Sequence, residues 1–264
     1  MMIRVLMAIL LTISTACFAA QPPSNLLVLT PDNHVPLVGE INGKSVSDFL
    51  KNFTALEGNR RIVFISSPGG SVIDGMKLIQ TVRDEKVANK NLRVSCYVDE
   101  AASMAFAITQ SICDERHGGA TSMLMQHQAT YGLQGSDNQI ASRLKMISSV
   151  LKVLDGIQAK RIGISVEELR KRSSDEWWTV GEEAVKANTL DSLAAVVCTK
   201  ELIEQTRELK FSSMFFGSGT AVFSKCPLLY APIDVKMNDG RPANELVKKS
   251  FERVPLNERV IEYK

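Results

Sequence analysis

Ile62-Val63-Phe64-Ile65-Ser66-Ser67-Pro68-Gly69-Gly70-Ser71 joins a continuously apolar, β-rich run to two adjacent glycines. Such a run reads as a strand covered on both faces, as in parallel sheets, here from Arg61 to Ser66, and Pro68-Gly69-Gly70 stops it. Beyond it, Val72, Met76, Ile79 and Val82 recur at helical spacing through Glu85, and Leu92 to Val98 returns to strand. The result is a β-turn-α-β unit. Working outward, Leu26 to Thr30 and Pro36 to Ile41 read as short strands, and Ser45 with Asp48 starts a helix from Val46 to about Leu56.

On the other side, Ser103 to Gln110 is apolar and helix-favouring, and Thr121 to Met125 is strand again. A long helix over Gln139 to Arg161 carries Ile140, Leu144, Ile147, Leu151, Leu154 and Ile157 on one face. Ser165 with Glu168 and Thr179 with Glu182 each pair a hydroxyl cap with a returning carboxylate. These predict a short helix ending near Arg172 and another through about Ala187. Repeated alternation of strand and helix argues for an α/β fold with a mostly parallel sheet. Beyond Lys200 come Phe211 to Phe223, rich in Phe, Ser and Gly, then a charged end with Pro227, Pro232, Pro242 and Pro255, in which no chemistry is legible.

Residues 1–19 read as an export signal: Arg4 is the positive start, Val5 to Ile13 is apolar except for Thr12, and Cys17-Phe18-Ala19 ends in a small residue. The run is short for a membrane span of roughly 20 residues. A lipoprotein anchor through Cys17 is the weaker alternative, because Ser14 rather than a large aliphatic stands three residues before it. The expected compartment is the periplasm or the exterior. About 245 residues remain, enough for one α/β domain with a tail. With 31 basic and 29 acidic residues and no basic stripe among aromatics, the composition argues against nucleic acid as a partner.

Cys96, Cys113, Cys198 and Cys226 are even in number and form no CxxC pair, which in an exported chain argues for disulfides rather than zinc. Cys96 with Cys113 and Cys198 with Cys226 is the expected pairing. The alternative is that one or more are buried thiols.

Three segments carry chemistry. Glu100-Ala101-Ala102-Ser103-Met104-Ala105 sets an isolated serine between small residues where a strand meets a helix. Taken alone, such a serine is a packing residue. Gly69 and Gly70 allow backbone to approach a ligand closely, or make an ordinary tight turn. Met123-Leu124-Met125-Gln126-His127 brings a histidine to a strand end, where it could serve as a base. A serine hydroxyl needs a base to take its proton, and the oxyanion it creates needs donors already aimed at it. In that order, Gly69 and Met104 N–H groups, Ser103 and His127 suggest acyl transfer to serine. His117, in a glycine-rich loop, is the competing base, and His34, in the turn after Pro31-Asp32-Asn33, is expected on the surface. Asp175 and Glu176 are available to orient the imidazole, or are a solvated acidic cap.

The ordered set resembles the Clp protease proteolytic subunit and its relatives in the ClpP/crotonase fold. The resemblance runs from about Val38 to Leu193 and rests on Ser66-Ser67-Pro68-Gly69-Gly70-Ser71 with Gly75, Ala101-Ala102-Ser103-Met104-Ala105, His127-Gln128, and Glu183-Ala184-Val185 leading to Leu190-Asp191. It implies a repeated ββα superhelix, with Ser103 as nucleophile, His127 as base, Gly69 and Met104 as oxyanion donors, and the Gln139–Arg161 helix protruding to stack rings. Counted without gaps from Glu183-Ala184-Val185, Glu176 stands where the family has its catalytic aspartate, and Asp175 lies one position early.

Residues 1–19 are thus expected to be a signal, 20–200 the catalytic domain and 201–264 an extension that packs on a neighbour or closes a ring face. The expected function is an exported serine endopeptidase acting on peptides or unstructured protein segments, homo-oligomeric, with neither metal nor organic cofactor. Export argues against an ATP-driven unfoldase partner. Two rivals stand beside it: a non-catalytic oligomeric scaffold or binding protein of the same fold, and a crotonase-like acyl-CoA enzyme.

Overall fold

The computed structural model describes residues 25–213 and 217–240. The expected signal at 1–19 and the end of the tail at 241–264 lie outside them. Strand β1 (Asn25–Leu29) is followed by a turn in which Thr30 N–H donates to Asn33 Oδ1 at 2.8 Å, then by β2 (His34–Val38). His34 is therefore not on the surface. The strand begins earlier than Pro36 and turns the ring inward, 8% exposed, with Nδ1 2.6 Å from the Thr30 carbonyl. Burial pushes its pKa down, and the contact to Thr30 offsets only part of that.

Helix α1 (Gly43–Ala55) also starts earlier than the sequence suggests. Asn42 is the cap, accepting from the N–H groups of Lys44 and Ser45, while Ser45 Oγ accepts from Asn42 N–H at 2.9 Å. Ser45 is thus the returning half of the capping box and not its start. There follow β3 (Arg60–Ser67), α2 (Val72–Ala88), β4 (Arg93–Ala102), α3 (Met104–Ile112), β5 (Glu115–His127) and α4 (Asp137–Ile162). Strand β5 begins well before Thr121, so His117 lies on a strand rather than in a loop.

In α5 (Val166–Arg172) Ser165 caps as expected, its hydroxyl accepting from Glu168 N–H at 3.0 Å. Thr179 does not cap a helix. It lies in β6 (Glu176–Val180), its hydroxyl 2.9 Å from that of Thr189, and α6 (Gly181–Lys186) starts after Val180 without a side-chain cap. The chain continues through β7 (Ser192–Cys198), α7 (Lys200–Glu204), β8 (Thr206–Ser213), β9 (Gly217–Ser224) and β10 (Asp234–Met237).

Seven strands form one sheet in the order β1-β7-β5-β4-β3-β2, every neighbouring pair parallel, with β6 antiparallel to the end of β5. The α/β class and the mostly parallel sheet are as expected. One face is covered by helices, and α3, at the centre, is buried at every residue except Ser111. An apolar helix enclosed on all sides is stable only inside a core. Here it fixes the position of its own first turn.

The other face is covered by the tail. Leu202, Cys226 and Leu228 pack on Leu29, Ile62, Phe64, Tyr97 and Val196. The described part of the extension therefore lies against its own sheet, and β8, β9 and β10 form a small antiparallel sheet around Ala221, Phe223 and Val235. Both expected disulfides are present, Cys96–Cys113 and Cys198–Cys226. The second ties the end of β7 to the tail segment that covers the sheet.

Candidate active site

Ser103 occupies the single residue between β4 and α3, with φ 55° and ψ −118°. Non-glycine residues avoid this region, and holding one there costs about 1–3 kcal/mol. Two restraints enforce it: Ser103 N–H donates to Met125 O at 2.8 Å, and Ser103 O accepts from Ala107 N–H at 3.2 Å. The sharp turn presents the hydroxyl beside the end of β5. There His127 Nε2 lies 2.9 Å from Ser103 Oγ.

The backbone of His127, and not its ring, is held by an amide relay. His127 N–H donates to Gln126 Oε1 at 3.0 Å, Gln126 Nε2 donates to Gln158 Oε1 on α4, and Gln158 Nε2 donates to Leu154 O at 3.2 Å. Both glutamines are buried. Neither is prominent in the sequence, because a glutamine beside a histidine and another on an amphipathic helix read as surface residues.

Met104 opens α3, so its N–H has no acceptor within the helix and points outward from the positive end of the helix dipole. Gly69, at φ 96°, comes so close that a Cβ there would lie 2.8 Å from Ser103 Cβ and 2.9 Å from Met104 N. Only glycine fits. Its own N–H is engaged, donating to the buried Ser67 hydroxyl at 3.2 Å. The loop is stitched to the segment before α1 by Ile41 N–H to Gly69 O and Ser71 N–H to Ile41 O, both 2.7 Å.

A cleft of about 510 Å³ opens beside these groups, within the usual size of ligand sites. Met104, Ala107, Leu151 and Leu154 give it apolar walls, and Asp155, paired with Arg170 at 2.8 Å, stands at its edge.

Of the expected residues, Ser103, His127, Gly69 and Met104 converge, and Asp175 and Glu176 stay apart from the imidazole. Glu176 is the cross-strand partner of His127 in the β5–β6 ladder, so the two side chains share a face, but its carboxylate accepts from Trp178 Nε1 at 2.9 Å. Asp175 is exposed in the bend before β6. Among the described residues no carboxylate is hydrogen-bonded or ion-paired to His127. The competing base, His117, lies elsewhere, with Nδ1 2.9 Å from Ser192 Oγ. Among the described residues no group of three His, Cys, Asp or Glu side chains is placed to hold a metal ion.

Residues 24–195 match the Clp protease family. The chain belongs to that family. It is 28% identical over 162 residues to the ATP-dependent Clp protease proteolytic subunit of Borrelia garinii subsp. bavariensis, spanning 60% of this chain and 81% of that relative. The chain is therefore a ClpP-like peptidase, and the Clp protease family is one of serine peptidases, typically oligomeric and acting on peptides. The matched region ends inside β7, so α7 and the small sheet lie beyond what this chain shares with the Clp protease family.

Proposed function

We propose that the chain is an exported serine endopeptidase that cleaves peptides or unstructured protein segments through an acyl-enzyme on Ser103. The observation that carries this reading is the 2.9 Å contact between Ser103 Oγ and His127 Nε2 at a strained backbone turn. Ser103 Oγ attacks the scissile carbonyl as its proton passes to His127 Nε2. The carbonyl oxygen becomes an oxyanion facing Met104 N–H and Gly69 N–H. Gly69 exchanges its 3.2 Å bond to Ser67, long for a hydrogen bond, for a charged acceptor.

Collapse of the intermediate breaks the C–N bond, and His127 returns the proton to the leaving amine. A water then attacks the ester, delivering its proton to His127, and Ser103 is regenerated with release of the acid product. Glu176 is the acid in this reading. Opposed residues on one face of an antiparallel pair have Cβ atoms about 4.5–5.5 Å apart, so in this reading the Glu176 side chain rotates away from Trp178 to accept from the imidazole. Export is supported by the two disulfides, which belong to oxidising compartments. Homo-oligomeric assembly is part of the same proposal.

A second reading, a non-catalytic scaffold of the same fold, is favoured by the imidazole's lack of a carboxylate partner among the described residues. A fluorophosphonate probe and a fluorogenic peptide, applied to the purified protein and to Ser103→Ala, separate the two. Labelling and hydrolysis by the parent protein, lost in the variant, support the peptidase. An inert parent protein supports the scaffold.

A further inference from the structure

Strand β4 carries one residue more than its neighbour needs. Ile65 pairs with Val98, but the next residue of β3, Ser66, pairs with Glu100, leaving Asp99 as a bulge. The pairing with β5 shifts at the same point, from Val98 with Gly118 to Glu100 with Met123. The core records the consequence. Val94, Cys96 and Val98 face the helices at alternate positions, and then Ala101 does so three residues after Val98. Side chains on a strand alternate with a period of two, so one added residue inverts the phase of everything that follows. The phase after Asp99 sets the face on which Ala101, Ala102 and Ser103 emerge. A bulge at Asp99 thus aims the serine.

Something must hold that extra residue, since its backbone is unpaired in the ladder. Asp99 Oδ2 accepts two hydrogen bonds: from Ser66 Oγ at 2.9 Å and from Tyr230 Oη at 3.2 Å. Ser66 lies three residues before Gly69, so the first bond ties the bulge to the loop beside Met104 N–H. Tyr230 comes from the extension, four residues after Cys226, whose disulfide to Cys198 anchors that segment to β7. Tyr230 is 41% exposed, and its partial burial, with the neighbouring Asp99 charge adding to it, pushes the phenol up to about 12, so it remains a neutral donor across the working pH range.

We propose that Asp99 and Tyr230 are positioning residues for Ser103, and that the disulfide-anchored extension is a clamp holding the β4 bulge in the phase that presents the serine. This rests on the proposed serine chemistry for its functional consequence, but the register claim stands on the bulge alone. Through Tyr230 alone, the extension then supports the site.

The test uses the full chain and Tyr230→Phe, which removes only the hydroxyl, with Asp99→Ala beside it. Amide hydrogen exchange over residues 98–104 reports how firmly the bulge is held, and fluorophosphonate labelling with kcat and KM for a peptide reports its effect. Tyr230→Phe is expected to speed exchange and slow labelling, each roughly tenfold, the loss of one hydrogen bond to a charged group, with the change in kcat and not in KM. Asp99→Ala loses both bonds and is expected to lose roughly a hundredfold. Val235→Ala, in the small sheet and away from the bulge, lowers the melting temperature but leaves labelling unchanged, which separates positioning from general support. Should Asp99→Ala fail to fold, Tyr230→Phe decides alone. Parent-like exchange and labelling in Tyr230→Phe overturn the clamp. If the parent protein takes no probe, the peptidase reading fails, and exchange in Tyr230→Phe still decides the clamp.

Discussion

Gln126 and Gln158 form a buried amide pair that joins the strand ending in His127 to the long helix α4, and the free oxygen of Gln126 holds the His127 backbone N–H at 3.0 Å. The long helix therefore does more than protrude. In its last third Leu154, Gln158, Ala159 and Ile162 are buried, and through Gln158 and Gln126 it is joined to the backbone of His127.

Gln158→Ala leaves the Gln126 amide buried without its partner, which costs about 1–3 kcal/mol. The expected outcome is a lowered urea midpoint together with a fall of roughly tenfold in the rate of fluorophosphonate labelling at Ser103. An unchanged labelling rate at reduced stability would show that the pair supports the fold without positioning the histidine.

Glu176 faces His127 across the β5–β6 ladder, yet its carboxylate is held by the Trp178 indole. If it swings to the imidazole during turnover, Glu176→Gln lowers kcat at least about tenfold, because an amide cannot stabilise the imidazolium. Asp175→Asn leaves kcat within about twofold, and Trp178→Phe, which frees the carboxylate, raises it. Peptide hydrolysis by the three variants at one pH checks this. Equal rates in Glu176→Gln and the parent protein would leave Ser103 and His127 working as a pair.

The parts of this fold that were legible in the sequence are those where one physical signal dominates. Ile62 to Ile65 is apolar throughout, the Val72 helix has its period, and Gly69 and Gly70 stop a strand, so the β-turn-α-β unit was readable. Ser103 and His127 were legible as ends of elements, and the structure brings them together. Their strain and spacing were not, since φ at Ser103 depends on Met125 and Ala107, which are remote from it or invisible as restraints. Strand β6 is not legible, because Glu176 to Val180 is short and its two tryptophans follow an acidic bend. Thr179 and Ser45 both satisfied a capping pattern, and tertiary pairing gave them other partners. The bulge at Asp99 left no local mark. It exists only relative to strands β3 and β5, and its second ligand, Tyr230, lies 131 residues away.

Asp191 follows Leu190 at the end of the family-like segment and acts at the opposite end of the sheet from the serine. It binds Arg116, which is fully buried, through Oδ1 at 2.6 Å and Oδ2 at 3.1 Å, and Arg161 of α4 through Oδ2 at 2.8 Å. Burial opposes its ionisation, but the bonds and charge of Arg116, with Arg161 adding to them, outweigh that and hold the carboxyl below the usual range. A carboxyl whose pKa is lowered by folding contributes stability above its unfolded pKa of about 4, and that contribution disappears as pH falls through the lower folded value. Stability of the parent protein is therefore expected to fall with acidification below about pH 5. Asp191→Asn leaves the Arg116 charge buried without its counter-ion, and breaking such a pair costs about 3–5 kcal/mol at neutral pH. The same substitution removes the titrating group, so urea midpoints measured from neutral pH downward should start lower in the variant and decline less steeply. Parallel curves for the two proteins would show that acid sensitivity resides in other carboxylates.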